Sequence, residues 1–343
     1  MYNIPELSFQ STQFGEFQDY ALVNYKKHEN YDGLYRSVIF KNKKVVCFSP
    51  PKSIPYTEFC EKNPISTVVV DEFIDGTMIN VFYDGETNKW VIATRSIIGA
   101  KCVFYSQKTF HDMFHETGID YDTLNKEHCY SFVLQHPENQ IVTPIIKPAL
   151  YLIAVYQITD TGIEEVHSSI HCITAFLTPS TFTFSSYEEA EQFVKLQPYT
   201  FKGLMLKTNT ERSKIRNSTY EKVKMLRGNS ACSLYTYLTI RSTPQQTEYE
   251  KYFPNHMFPV YEKQFTQLIV HLHWLYIDCF IKKMKPLKEY DSMFKPHLYE
   301  LHMHYLHQLR QVKKCVTRHE VKKYVVGLPP ALIITLISAL SQN

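Results

Sequence analysis

Basic side chains able to hold phosphate groups are gathered in one stretch of this sequence. Residues 202 to 227 carry eight Lys or Arg against two Glu, while the whole chain of 343 residues has a formal charge of only +3. Such a local excess raises the concentration of phosphates around it, although a charge run on its own is more often a solvated face. Within the stretch, Lys214 and Arg216 stand two residues apart, so on a strand they would point to one face. Lys202 precedes them, and Arg212, Lys222, Lys224 and Arg227 form a candidate rim for nucleic acid. Upstream lies the segment Phe73-Ile74-Asp75-Gly76-Thr77. Taken alone, Asp75-Gly76 is foremost a turn signal.

The elements that would position these residues follow from local patterning. Short runs rich in Val, Ile, Phe and Tyr predict strands at 35–48, 66–72, 78–83, 89–95, 129–135, 140–143, 149–157 and 201–207. Asp84-Gly85 is expected to close a hairpin. Ser186-Tyr187-Glu188-Glu189 has the form of a capping box opening a helix at 187–196. Residues 1–240 thus read as a mixed α and β domain, and 241–343 as a helical one. In 262–283 the residues Phe265, Leu268, Ile269, Leu272, Leu275, Tyr276, Cys279 and Phe280 fall on one helical stripe. Further helices are expected at 297–313, after Pro296, and at 318–326, where Thr317 to Glu320 repeats the capping-box form.

The order of short motifs is more informative than any one of them. Tyr35-Arg36-Ser37-Val38-Ile39-Phe40 is followed by Ser49-Pro50-Pro51-Lys52, Asp75-Gly76-Thr77, Ala93-Thr94-Arg95-Ser96, Phe132 to Asn139, Lys202-Gly203-Leu204-Met205-Leu206-Lys207 and Lys214-Ile215-Arg216-Asn217. In this order and at these separations, residues 30 to 230 resemble the phage-type ATP-dependent RNA ligases of the covalent nucleotidyltransferase superfamily. The resemblance implies a nucleotidyltransferase (ATP-grasp-like) adenylation-type domain with antiparallel sheets, and with the helical patterning after it the expected fold class is α+β with an all-α C-terminal domain. It also implies a nucleotide or phosphate site built from Arg36, Asp75, Gly76, Thr77, Arg95, Lys214 and Arg216, the last two stabilising charge as pyrophosphate leaves.

Three positions depart from the family pattern. Phe73 stands where the resemblance implies a lysine nucleophile that would attack the α-phosphate of ATP or GTP. Val133 and Lys202 stand where it implies carboxylates, which would help to hold Mg²⁺. Loss of all three together, with the cations retained, leads to the expectation of a ligase-like protein that has lost self-adenylylation and binds RNA or DNA ends, RNA in preference, or nucleotide phosphates, through the retained basic pocket. ATP and Mg²⁺ enter only if activity is kept. One alternative is an active ligase in which Lys202 has become the nucleophile. Another is a structural virion or assembly protein on the same fold, with the helical domain as its protein-binding surface.

Other classes of function find no support in the sequence. The eight cysteines are dispersed without zinc-type spacing, and are read as reduced thiols. His271, His273, His297, His302, His304 and His307 lack the companions of a metal site, so no metal is expected. MYNIPELSFQ does not have the form of a signal peptide, and no apolar run reaches the length of a membrane span. The expected location is the cytoplasm, either of a host cell or in a viral factory.

Overall fold

The computed structural model describes residues 2, 4, 17–24, 33–166, 175–254 and 257–342. The chain divides into two compact units, Met1–Arg227 and Gly228–Asn343. The first is mixed α and β with antiparallel sheets, and the second, among the described residues, is helical.

Among the described residues, three sheets build the first unit. Strands β1 (Tyr20–Asn24), β2 (Arg36–Lys41) and β3 (Lys44–Cys47) form the first. The run predicted as one strand over 35–48 is in fact the β2–β3 hairpin. Asn42 and Lys43, with φ of 50° and 66°, turn the chain there, and two successive positive φ values match the right-handed twist of a two-residue hairpin. The second sheet holds β4 (Val69–Glu72), β10 (Thr181–Phe182), β11 (Gly203–Lys207) and β12 (Arg212–Arg216), in the order β10-β4-β11-β12. The third orders β5 (Thr77–Asp84), β6 (Lys89–Ala93), β7 (His128–Gln135), β8 (Ala149–Thr159) and β9 (Gly162–Glu165) as β6-β5-β7-β8-β9. Residues 140–143, predicted as a strand, pair with no strand, and the amides of Val142 and Thr143 bond to a side chain instead.

Strand alternation sorts the core. On the five-stranded sheet Ile79, Val81, Tyr130, Phe132 and Leu134 pack beneath helix α2 (Phe110–His115), whereas Phe82, Cys129 and Tyr156 pack against Val38 and Phe40 of the three-stranded sheet and Phe48 just after it. On the four-stranded sheet Val70, Leu204, Leu206 and Ile215 meet helices α1 (Tyr56–Lys62) and α3 (Tyr187–Leu196). The opposite face of that sheet therefore carries the odd-numbered residues of β4 and Arg212, Lys214 and Arg216 of β12. As predicted, α3 starts at Ser186, whose hydroxyl accepts from the Glu189 amide. Helix α4 (Ser218–Arg227) follows β12 directly.

In the second unit the helices are α5 (Ser233–Ile240), α6 (Pro244–Tyr252), α7 (Phe258–Tyr276), α8 (Lys295–His304), α9 (Arg318–Val326) and α10 (Pro330–Gln342). The predicted stripe on α7 is buried from Phe265 through Cys279, in one core with Leu298, Leu301, Val321, Val325 and Leu336. Both α7 and α8 end in a π-helical turn, Ile277–Ile281 and Tyr305–Leu309. No helix among the described residues is long and apolar enough to cross a membrane.

Gly76 is the tightest backbone constraint next to the candidate site. It has φ of 146°, and an added Cβ would lie 2.5 Å from the Leu134 carbonyl oxygen and 2.6 Å from Val133 Cγ1. Gly76→Ala is therefore expected to lower stability by roughly 2–5 kcal/mol. Gly85→Ala, where a Cβ meets nothing within 4 Å, serves as control, and urea midpoints of the two variants compare them directly.

Candidate functional site: cations around Phe73

The four-stranded sheet delivers Phe73 at the end of β4, where its amide donates to the Gly203 carbonyl at 2.9 Å. Two ammonium groups meet its ring. Lys202 Nζ lies 4.1 Å and Lys214 Nζ 5.1 Å from the ring centroid. Where the resemblance implies one lysine, the fold thus has a phenyl ring faced by two others, and favourable cation–π geometry helps to hold them. The sequence order of Lys202 and Lys214 gave no sign that both would reach the same ring. Pairing of β11 with both β4 and β12 brings them there.

Asp75 is buried, at 4% exposure, and its carboxylate is fully engaged. Oδ1 accepts from the Tyr220 hydroxyl at 2.6 Å and lies 3.6 Å from Lys202 Nζ, while Oδ2 accepts from the amides of Val142 and Thr143, both at 3.1 Å. Burial alone would raise its pKa, but the Lys202 charge and these hydrogen bonds outweigh that and hold it below the ordinary value of 3.8. Asp75 is thus an internal anchor of the site and has no oxygen left over for a ligand. Tyr220, the residue that ties α4 to this anchor, is fully buried and is not a stacking surface.

The two lysines differ in their surroundings. Lys202 has Asp75 beside it and donates to the Ile74 carbonyl at 3.2 Å, and its pKa is lowered by burial. Among the described residues, Lys214 has the Phe73 ring but no carboxylate or hydrogen-bond acceptor. Burial, then Arg36, Arg216 and Lys202, push its pKa down to about 7. A value so far below the ordinary lysine pKa is unusual.

Arg36 reaches the cluster from the three-stranded sheet. A register shift between Val23 and Asn24 sits opposite it, and the next residue, Ser37, is buried with φ of 65°. A left-handed serine costs about 1–3 kcal/mol and is held there by hydrogen bonds to Asn24 at 2.9 Å and from Asn80 at 3.2 Å. Backbone strain therefore sits directly beside Arg36, and no sequence signal pointed to it. Arg36, Thr77 and Arg95 line a cavity of about 330 Å³ with Met78, Val103 and Phe104. Phe104 is 43% exposed.

The remaining predicted positions scatter. Arg216 is exposed and ion-paired to Glu221 at 2.8 Å. Lys222 is exposed and Lys224 half-buried. Arg227 is half-buried rather than outward, with its guanidinium 4.2 Å from the Tyr105 ring. Arg212 is buried at the other end of β12, where its carbonyl accepts from the Ile54 amide, so it does not join an exposed rim. Gly76 and Val133 pack against each other. With Val133 apolar, Lys202 cationic and Asp75 engaged, the residues present do not fit Mg²⁺, which requires free hard oxygen ligands.

No family model matches the chain. It is similar to the Immediate-early protein ICP-46 homolog of Invertebrate iridescent virus 6, at 28% identity over 309 residues, covering 78% of this chain and 66% of that protein. The chain therefore spans just under two thirds of that relative's length. Among solved structures it is similar to a protein assigned as an ATP-dependent DNA ligase of Aquifex aeolicus, with a TM-score of 0.43, 16% identity, and coverage of 81% of this chain and 73% of that one. An archaeal ATP-dependent RNA ligase gives a TM-score of 0.42 at 11% identity, covering 59% and 55%. A Naegleria gruberi RNA ligase gives 0.37 at 12%, covering 51% and 58%. At these TM-scores the likeness assigns neither activity nor substrate, and what the site can do is read from its own side chains.

Tyr220→Phe removes a hydrogen bond to a buried charge and should cost about 1.5–3 kcal/mol in urea unfolding at neutral pH. The folded pKa of Asp75 is depressed, so its stabilisation is present above 3.8 and is lost as pH falls through the lower folded value. The gap between wild type and Tyr220→Phe should accordingly narrow in acid, below about pH 4.

Proposed function

We propose that this protein binds the phosphates of nucleic-acid ends, RNA in preference to DNA, at the cations around Phe73, and forms no covalent nucleotidyl intermediate at that position. The observation that carries this reading is the pair Lys202 and Lys214 over a phenyl ring. A benzyl group offers no nucleophile, yet Lys202 and Lys214 stay beside it, and Arg36 and Arg216 add positive potential at Lys214. Phe104, beside Arg36 and Thr77 in the neighbouring cavity, supplies an apolar face on which a terminal base can stack. Missing carboxylates are a defect for metal-assisted transfer but an advantage for holding an anion.

A second reading, nucleotidyl transfer through a displaced lysine, is favoured by one specific feature. Lys214, whose pKa is about 7, is a better placed amine than Lys202, which is committed to Asp75 and the Ile74 carbonyl. Incubation with α-labelled ATP and Mg²⁺ separates the two. The binding reading expects no label on denatured protein, whereas label that vanishes in Lys214→Ala would support transfer.

Filter binding of a 5′-phosphorylated oligoribonucleotide across a salt series tests the binding reading. Affinity should fall as salt rises, and Lys214→Ala should weaken it and reduce the log–log slope by about 0.7, the value for one phosphate contact on a single strand. Binding that is absent at low salt, or indifferent to salt, would overturn the reading.

A further inference from the structure

Lys214 is the member of the cluster whose charge the fold does not balance. On its own strand Arg212 and Arg216 flank it, and its register partner on β11 is the apolar Met205. From β4 it faces Phe73, from the segment before β11 Lys202, and from β2 Arg36. The nearby acid, Asp75, is spent on Lys202, Tyr220 and two amides. Lys224 of α4 adds positive potential at Lys202. The charged groups that act most strongly on Lys214 are all cations; Asp71, in the same cross-strand row, is ion-paired to Lys207, and the other close contact of Lys214 is the Phe73 ring. In this setting an ammonium group is unfavourable until an anion arrives, because burial and like charges act in the same direction.

We propose that anion binding at this site is coupled to proton uptake by Lys214, so that the incoming phosphate creates the cation that holds it. This rests on the phosphate-binding reading and adds a regulatory property to it. The empty site carries less positive charge than its residue count suggests, which limits repulsion between Lys202, Lys214, Arg36 and Arg216. When a phosphate enters, its negative charge stabilises the protonated amine, and one proton moves from solvent to Nζ. No bond to phosphorus forms and no co-reactant is needed.

The sign follows from linkage. The free-state pKa of Lys214 is about 7 and the bound-state value is higher, so binding takes up a proton at any pH between the two. Well below pH 7 the amine is already charged and adds no further pH dependence. Above it, affinity should fall by as much as ~tenfold per pH unit.

Titration calorimetry of the full chain with a short 5′-phosphorylated oligoribonucleotide tests this, in buffers of different ionisation enthalpy. At about pH 8 the terminal phosphate is already fully ionised, so the ligand itself contributes little. Wild type should take up most of one proton per site there, and at about pH 6, where the amine is already charged and the phosphate's own ionisation favours proton release, net uptake should be lost. Lys214→Arg should bind without that uptake and with affinity flat between about pH 7 and 8.5, because its cation is permanent. Salt-dependent binding with no proton uptake at pH 8 would overturn the coupling while leaving the binding reading intact, as would uptake that persists in Lys214→Arg. Failure to bind the oligonucleotide at low salt and pH 6 would remove both.

Discussion

The Asp75 carboxylate accepts the Tyr220 hydroxyl and the amides of Val142 and Thr143, and faces the Lys202 ammonium. These four contacts come from α4, from the irregular segment after β7 and from the entry to β11, so one buried charge fixes three separate parts of the chain around the exit of β4. An unpaired buried carboxylate would be costly, and so each partner is held by the requirement to satisfy it. Phe73 two residues earlier and Lys214 on β12 inherit their places from that arrangement.

Such a centre has little freedom to do metal chemistry. Its acid is engaged, the residue paired with Met78 across the sheet is the apolar Val133, and the lysine before β11 neutralises Asp75 instead of accompanying a second carboxylate. What remains is a surplus of positive charge around a hydrocarbon ring. The cost of keeping those cations close together is lowered by the shifted pKa values of Lys202 and Lys214, and a phosphate is the kind of group that would restore the balance. Strain at Ser37, directly after Arg36, fits a site in which a cation is aimed against local backbone preference.

The helical unit has a different logic. Its core is a continuous apolar stripe on α7 met by α8, α9 and α10, and two of its histidines pack against it: His297 bonds the Tyr324 hydroxyl at 2.7 Å, and His302 stacks on Phe280 at 3.9 Å between centroids. Desolvation lowers the pKa of both. These are packing roles.

Period-two and period-3.6 patterning made β5 to β8, α3, the buried stripe of α7 and α9 legible from sequence, because each buries one face against a neighbour and local spacing records it. The alternate placement of Lys214 and Arg216 was readable for the same reason. Sequence spacing could not place the partners: that Lys202 and Lys214 would share the Phe73 ring, that Asp75 would be consumed by Tyr220, or that Arg212 would be buried while Arg216 was exposed. Each of those depends on strand pairing between segments more than a hundred residues apart or on which end of a strand meets the core. Periodicity tells a side chain which face it occupies, and only the packed sheets decide what waits on that face.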